Sequence, residues 1–447
     1  MGLFINPTWQ NNYFHGGAPI KNLHFQIRNP IAPTSTELIG RGKAKLVFSG
    51  YREAEPASDP SKRSYLTSKI DDVVYMISRK RFFNNELKDE LRIGPKIRKR
   101  VYLANLRILL QSLGMPAQNA KTQAKELASS FPTVELLIEG IYRDDPKLKD
   151  FFQQYHLQPL DRQSPQFLRL LDSCLHLSVD FVYAPTIQIQ GKSAVLAKKA
   201  ECDLEAAVRK RNYTFPQNIE LVKQLFSGFR DLHAAGYIHG DPKLENVLLY
   251  SLNGKPLLKI ADWGKCKTRT PTEKGFHTGN HRHMPPERLS SQKGEVFSAA
   301  MMAIRILEEE FLAGDPHAML IDPEKTDPKK EKCVRKLIPD PEKSRKGIEK
   351  YLCISKGCPQ IDANWSDAGA HILGSMKEYL FESHPDIDPH LAKYLSALHE
   401  KLKARYGNSD QMTELIHLFK AMMQSNVRER ISMEEATSRV EALCPKR

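Results

Sequence analysis

Apolar residues change their spacing several times along this chain, and each change predicts a different element. Between residues 218 and 236, Leu221, Leu225, Phe229 and Leu232 recur three or four apart, the spacing of one buried helix face. Gly236 follows at the expected C-cap. Two short strand-like runs come next, residues 246–250 and 257–261, split by the hairpin signal Asn253-Gly254. From about 101 to 177 the pattern is helical, as in "VYLANLRILLQSLG" and "QFLRLLDSCLHL". Residues from about 314 to 374 are rich in Pro and Lys, and the first 35 residues, rich in Asn and Pro, read as an arm or partner-binding extension.

A chain of 447 residues is long enough for two lobes or more. No apolar run approaches the roughly 18 residues of a membrane span, and no charged-then-apolar leader opens the chain. Met1-Gly2 begins like an acylation signal, but Asn6 stands where Ser or Thr is required. Seven scattered cysteines without a Cys-x-x-Cys pair predict reduced thiols in a cytosol, whether the cell's own or that of a host reached without a classical signal peptide. Cys333, Cys353, Cys358 and His371 offer zinc ligands only at irregular spacing. The 67 Lys and Arg against 53 Asp and Glu give a net charge of +14, which suits an acidic partner. The excess gathers in two runs, Lys96 to Arg100 and Lys325 to Lys346. Neither is interleaved with aromatics, so both read as solvated basic faces, with no specific nucleic-acid signal.

Residues 237–264, "YIHGDPKLENVLLYSLNGKPLLKIADWG", carry the candidate chemistry. Helix, polar loop and hairpin set two carboxylates and an amide at neighbouring strand ends. Phosphoryl transfer needs one carboxylate to accept or orient a hydroxyl proton and a second to hold Mg²⁺ against the phosphates. The run His239-Gly240-Asp241-Pro242-Lys243-Leu244-Glu245-Asn246 resembles the catalytic loop H-R-D-x-K-x-x-N of the protein-kinase family, with Gly240 replacing Arg. Asp262-Trp263-Gly264 resembles the family's D-F-G motif, with Trp for Phe. The resemblance implies Asp241 as catalytic base, Lys243 as a γ-phosphate neighbour, Asn246 and Asp262 as Mg²⁺ ligands, and His239 and Gly264 as structural residues. Downstream, Met284-Pro285-Pro286-Glu287 takes the A-P-E position, "GEVFSAAMMAIRIL" resembles the next buried helix with Glu295 in place of the usual Asp, and "SNVRERISMEEA" resembles the last helices. Arg430 is then the ion-pair partner of Glu287, and their wide separation implies an insertion at about 314–374. His277, His281 and His283 fall in the activation segment, read as a peptide-binding loop rather than a metal site.

The nucleotide lobe matches less fully. Ile39-Gly40-Arg41-Gly42-Lys43-Ala44-Lys45-Leu46-Val47 resembles the glycine-rich loop G-x-G-x-x-G-x-V, with Lys45 for the third glycine. The strand motif V-A-I-K aligns with Val73-Val74-Tyr75-Met76, which puts methionine where the phosphate-binding lysine belongs. The with-no-lysine kinases also lack that lysine and carry one in the glycine-rich loop, at the position of Lys45; Lys80 is the other candidate. Glu90, with Glu86 next, is the helical acid that would orient the lysine. "SAVLAKKAECDLEAAV" resembles the last strand of the lobe and the hinge, which places the adenine contact near Lys199 to Glu201.

The resemblance therefore implies an α+β, bilobal protein-kinase-like fold with a β-rich N-lobe and a helical C-lobe. Its expected divisions are an extension over 1–35, an N-lobe over 36–200 with a helical insertion at about 101–177, and a C-lobe over 201–447. The implied activity is a serine/threonine protein kinase that uses ATP and Mg²⁺ on a protein substrate. Two alternatives stand beside it: a small-molecule kinase of the aminoglycoside or choline type, suggested by H-G-D and D-W, and a pseudokinase scaffold, suggested by Met76.

Overall fold

The structure, a computed structural model of the chain, describes residues 14–15, 18–19, 35–41, 45–51, 73–78, 85–179, 182–190, 192–210, 213–252, 254–268, 285, 291–308, 387–407, 409–424 and 426–444. Of these, β1 (Phe14–His15) and β2 (Ala18–Pro19) form a small antiparallel pair. Strands β3 (Ser35–Arg41), β4 (Lys45–Tyr51), β5 (Val73–Ser78), β6 (Val182–Ile189) and β7 (Lys192–Lys198) make one five-stranded antiparallel sheet in the order β3-β4-β5-β7-β6. A register shift falls between Leu38 and Gly40. Further along, Val47 lies opposite Met76, and Met76 opposite Val195. Met76 and Val195 are buried.

Helix α1 (Asn85–Ser112) spans 28 residues and belongs to two cores at once. Its Ile93, Ile97 and Val101 join the large core that contains Phe226 and Phe229. From Tyr102 to Leu110 its apolar face packs instead on α2 (Ala117–Ser130), α3 (Val134–Tyr142), α4 (Pro146–Gln154) and α5 (Pro165–Leu171). Local chemistry starts these short helices: Thr133, Asp145 and Ser164 are N-caps whose side chains accept backbone N–H bonds, and Pro146 and Pro165 occupy the first turn. The expected helical insertion thus begins inside a helix that runs unbroken through residue 101. The pattern in "QFLRLLDSCLHL" also predicts too long a helix. The helix α5 ends at Leu171, Cys174 takes φ +63°, and the chain turns so that the Ser178 N–H donates to the Ile260 carbonyl at 2.7 Å. The apolar Leu177 is buried there, beside a strand rather than on a helix face.

The four short helices are tied across the molecule. Buried Asn105 on α1 donates from Nδ2 to Ser173 Oγ at 2.8 Å and accepts from Arg169 Nε at 2.9 Å. Arg169 also reaches Glu434 at 2.6 Å, on the helix that closes the described chain.

The rest of the described chain is mostly helical. After β8 (Cys202–Asp203) come α6 (Leu204–Lys210), α7 (Phe215–Ala234), β9 (Tyr237–Ile238), the hairpin β10 (Val247–Leu252) and β11 (Lys255–Ile260), and β12 (Lys267–Thr268). Among the described residues four helices follow: α8 (Gln292–Leu307), α9 (Ile387–Tyr406), α10 (Asp410–Met422) and α11 (Met433–Leu443). Leu221, Leu225, Phe229 and Leu232 of α7 are fully buried, as their spacing predicts. Each such side chain contributes about 1.5–3 kcal/mol when withdrawn from water, which makes α7 and α8, buried from Gly294 to Leu307, the centre of this lobe. Among the described residues, no helix is long and apolar enough to cross a membrane.

Candidate active site

The candidate site lies where α7 runs out. Gly236 takes φ +76°, which stops the helix and turns the chain into β9 and the loop that follows it. His239 is fully buried and fixes this loop from inside: its Nε2 donates to the Ala261 carbonyl at 2.9 Å, and its Nδ1 accepts the Asp241 N–H at 3.2 Å. One imidazole therefore joins the Asp241 loop to the residue preceding Asp262. Asn246 Nδ2 donates to the Asp241 carbonyl at 2.9 Å, and the Asn246 carbonyl accepts from the Ala261 N–H at 2.8 Å. Asp241, Asn246 and Asp262 are thus brought together by bonds between their own segments.

The Asp241 side chain is 9% exposed, and Lys243 Nζ and Lys265 Nζ each lie 3.2 Å from its Oδ2. Lys243 is the residue expected beside the γ-phosphate; its pairing with Asp241 is read from the structure. Lys265 was not singled out in the sequence, because the family motif ends at Gly264; a lysine directly after it, in a chain with glycine at 240, was the available signal. Asp262 adopts the left-handed conformation, φ 69° and ψ 73°, at the start of the 3₁₀ turn Trp263–Lys265. Non-glycine residues rarely adopt it and tend to do so at functional sites. Trp263 is fully buried, donates from Nε1 to the Ser178 carbonyl at 2.6 Å, and packs on His239 with ring centroids 5.3 Å apart. Tryptophan in place of phenylalanine therefore adds a polar anchor to an apolar plug.

Glu295 supports the loop from α8. Fully buried, it accepts the Gly240 N–H at 2.8 Å through Oε1 and the His233 Nε2–H at 2.8 Å through Oε2. Burial disfavours its charged form, but His233, His239 and the Gly240 N–H outweigh that and hold the carboxyl below its usual value. Arg430 is fully buried too; its guanidinium donates to the carbonyls of Gln424, at 3.1 and 2.8 Å, and Lys293, at 2.9 Å, and lies over the Phe297 ring. Its expected partner Glu287 lies outside the described residues, as do Gly42, Lys80, the three histidines at 277, 281 and 283, and all four candidate zinc ligands. Pro285 is described and buried.

The other expected site residues sit on the sheet, α1 and the hinge. Gly40 falls on β3, Lys45 and Val47 on β4, and Glu86 and Glu90 on the first turns of α1, the helix that packs beside the Trp263–Lys265 turn. Lys199 and Glu201 lie between β7 and β8, where the Glu201 N–H donates to the Leu249 carbonyl at 2.8 Å. In the basic run on α1, Lys96, Lys99 and Arg100 are exposed, and the Arg100 guanidinium lies 4.9 Å from the Tyr237 ring centroid.

A buried loop that presents a carboxylate paired with lysine, next to an amide and a second carboxylate at strand ends, has the make-up of a phosphotransfer site. The profile of the family described as "Protein kinase domain" matches residues 194–440, more than half of the chain, and the chain belongs to that family. Its bilobal mix of sheet and helix is that of the family. Among curated proteins, the chain is similar to "Serine/threonine-protein kinase 1" of Orgyia pseudotsugata multicapsid polyhedrosis virus, 33% identical over 100 residues, which is 22% of this chain and 34% of that protein. It is also similar to "Dual serine/threonine and tyrosine protein kinase" of Tetraodon nigroviridis, 32% identical over 150 residues, and of Homo sapiens, 31% identical over 150 residues. These alignments span 33% of this chain and 15% of either relative.

Proposed function

We propose that this chain is a serine/threonine protein kinase that transfers the γ-phosphate of ATP to a protein hydroxyl. The observation that carries the reading is the Asp241 carboxylate, held by its own loop and paired with Lys243 at 3.2 Å. A hydroxyl donating to Asp241 would be oriented for attack on the γ-phosphorus and would leave its proton on that carboxylate. Lys243 would stabilise charge on the transferring group. The names of the viral and animal relatives support the acceptor class.

The donor set fits Mg²⁺. Asn246 spends its amide N–H on the Asp241 carbonyl, which leaves Oδ1 as a ligand, and Asp262 brings a carboxylate at the end of β11. Two hard oxygen donors plus phosphates and water are what Mg²⁺ usually takes. When bound, it supplies positive charge against the phosphate oxygens. Lys199 and Glu201 would contact adenine through the hinge, with Gly40, Gly42 and Val47 over the phosphates.

The phosphate-binding cation is assigned to Lys45, as in the with-no-lysine kinases. Its support is the register: Val47 faces Met76, and Lys45, two residues earlier on β4, has the same strand parity. Glu90 on α1 would orient that lysine, and Glu287 would pair with Arg430.

The test is incubation with γ-labelled ATP, Mg²⁺ and dephosphorylated casein, followed by identification of the labelled residue. Phosphoserine or phosphothreonine in casein or in the chain itself is the expected result. Label found only on choline or an aminoglycoside would move the assignment to a small-molecule kinase, and nucleotide binding without transfer would make the chain a scaffold.

A further inference from the structure

Two lysines, not one, converge on Oδ2 of Asp241, and the second comes from the segment after Gly264. Its approach depends on Gly240. That residue adopts φ +82°, and a Cβ built there would lie 2.5 Å from the Lys265 carbonyl oxygen and 3.3 Å from Lys265 Cβ. Any side chain at 240 would therefore have to push the backbone of Lys265 away, and the left-handed φ itself favours glycine. The loss of the family's arginine at 240 and the presence of a lysine at 265 are thus one structural feature: the space the first gives up is filled by the second.

The position of Lys265 restricts what it can do. A hydroxyl that donates to Asp241 must place its oxygen about 2.7 Å from a carboxylate oxygen. It therefore enters the space that the two ammonium groups border. Lys265 is the more open of the two, with its side chain 43% exposed against 27% for Lys243. We propose that Lys265 is a further catalytic residue, which yields its place on Asp241 to the acceptor hydroxyl and then binds the phosphoryl group in flight. In the step itself the acceptor oxygen forms a bond to the γ-phosphorus, and the bond from that phosphorus to the β,γ-bridging oxygen breaks. ADP leaves with the electron pair, and the hydroxyl proton passes to Asp241. Lys265 keeps its protons and supplies only charge where negative charge is concentrated, the kind of fixed cation that electrostatic stabilisation of a transition state requires. The role rests on the assignment of Asp241 as base.

The test compares the full-length wild type with Lys265→Met, Lys265→Arg and Asp241→Asn, in steady-state transfer from γ-labelled ATP to casein and to the chain itself. The expected result is a fall in kcat of about tenfold or more for Lys265→Met, by analogy with the loss of one transition-state donor. KM for ATP and the melting temperature should stay unchanged, and Lys265→Arg should recover most of the rate. A kcat equal to wild type in Lys265→Met, with Asp241→Asn inactive, overturns the role of Lys265 and leaves the base in place. A loss of kcat that comes with a matching loss of thermal stability or ATP affinity overturns it as well, since the lysine would then be structural. Undiminished transfer by Asp241→Asn, or no transfer by wild type, defeats the reading of the base and the inference together.

Discussion

In the loop from His239 to Asn246 the residues are held by one another and by Ala261, whereas on the five-stranded sheet Met76, the position expected from the sequence to carry a lysine, is buried opposite Val47 and Val195. The loop sets an acid beside two lysines, whereas the sheet is apolar at Met76. The physical reason they can differ is the kind of job each does. A proton acceptor and metal ligands must sit within a few tenths of an ångström of the reacting atoms, so their spacing along the chain is tightly constrained. A cation that neutralises phosphate acts over a longer range, from a flexible four-carbon stem, and can be supplied from another strand or another loop.

Glu295 is the strongest point of the loop side. Replacing it by alanine leaves the Gly240 N–H and the His233 imidazole buried without their acceptor, and should cost about 3 kcal/mol or more of stability, as broken buried charged networks do. The sign of its pH dependence follows from its lowered carboxyl value. Its contribution is present above the ordinary glutamate range and is lost as pH falls through the folded value. Denaturant titrations should show wild type losing stability below about pH 5, the ordinary carboxyl range, with the alanine variant losing less; parallel pH profiles would contradict the assignment.

On the sheet side, Lys45→Met should lower the transfer rate by about a hundredfold, which corresponds to ~2.7 kcal/mol of transition-state stabilisation. Met76→Lys in the same chain should restore part of it, because the two positions share strand parity. An unchanged rate for Lys45→Met would move the cation elsewhere, with Lys80 the next candidate. A smaller effect is expected where the loop meets its support. Trp263→Phe removes the bond to the Ser178 carbonyl and should cost about 1 kcal/mol, read as a lower melting temperature with transfer largely kept. Smallest of all is the effect of removing phosphorylation sites. Without an arginine at 240 to be neutralised by a phosphate, Thr268, Thr270, Thr272 and Thr278 changed together to alanine should leave the rate nearly unchanged. A collapse restored by Asp or Glu at one of them would contradict this.

How far the sequence could be read follows the same division. The loop and hairpin were legible because helix stop, loop and turn signal lie in one short run: His239, Asp241 and Asn246 bond within the loop and to Ala261 at the end of the hairpin, although Gly240 and Trp263 take their partners, Glu295 and Ser178, from far along the chain. Helix α7 was legible because one periodic face meets one core. Helix α1 was not, since its apolar face changes partner midway, from the large core at Val101 to the four short helices at Tyr102. Nor was the end of α5, where Leu177 satisfies a helical pattern yet is buried beside Ile260. Asn105, Arg169 and Glu434 lie far apart in sequence and form a link only tertiary structure reveals. Lys265 stands between the two cases: a lysine after Gly264 with glycine at 240 was visible in the sequence, but its meeting with Asp241 depends on the close approach of the two backbones at Gly240.

The central claim, that Asp241 is the base of a working phosphotransfer site, is tested most directly by measuring transfer and nucleotide affinity together in Asp241→Asn and Asp262→Asn. The first variant should lose transfer by about a hundredfold to ten-thousandfold, the range for a removed general base, while binding ATP and melting as wild type does. The second should weaken Mg²⁺-dependent ATP binding as well. Transfer at the wild-type rate by Asp241→Asn would contradict the account.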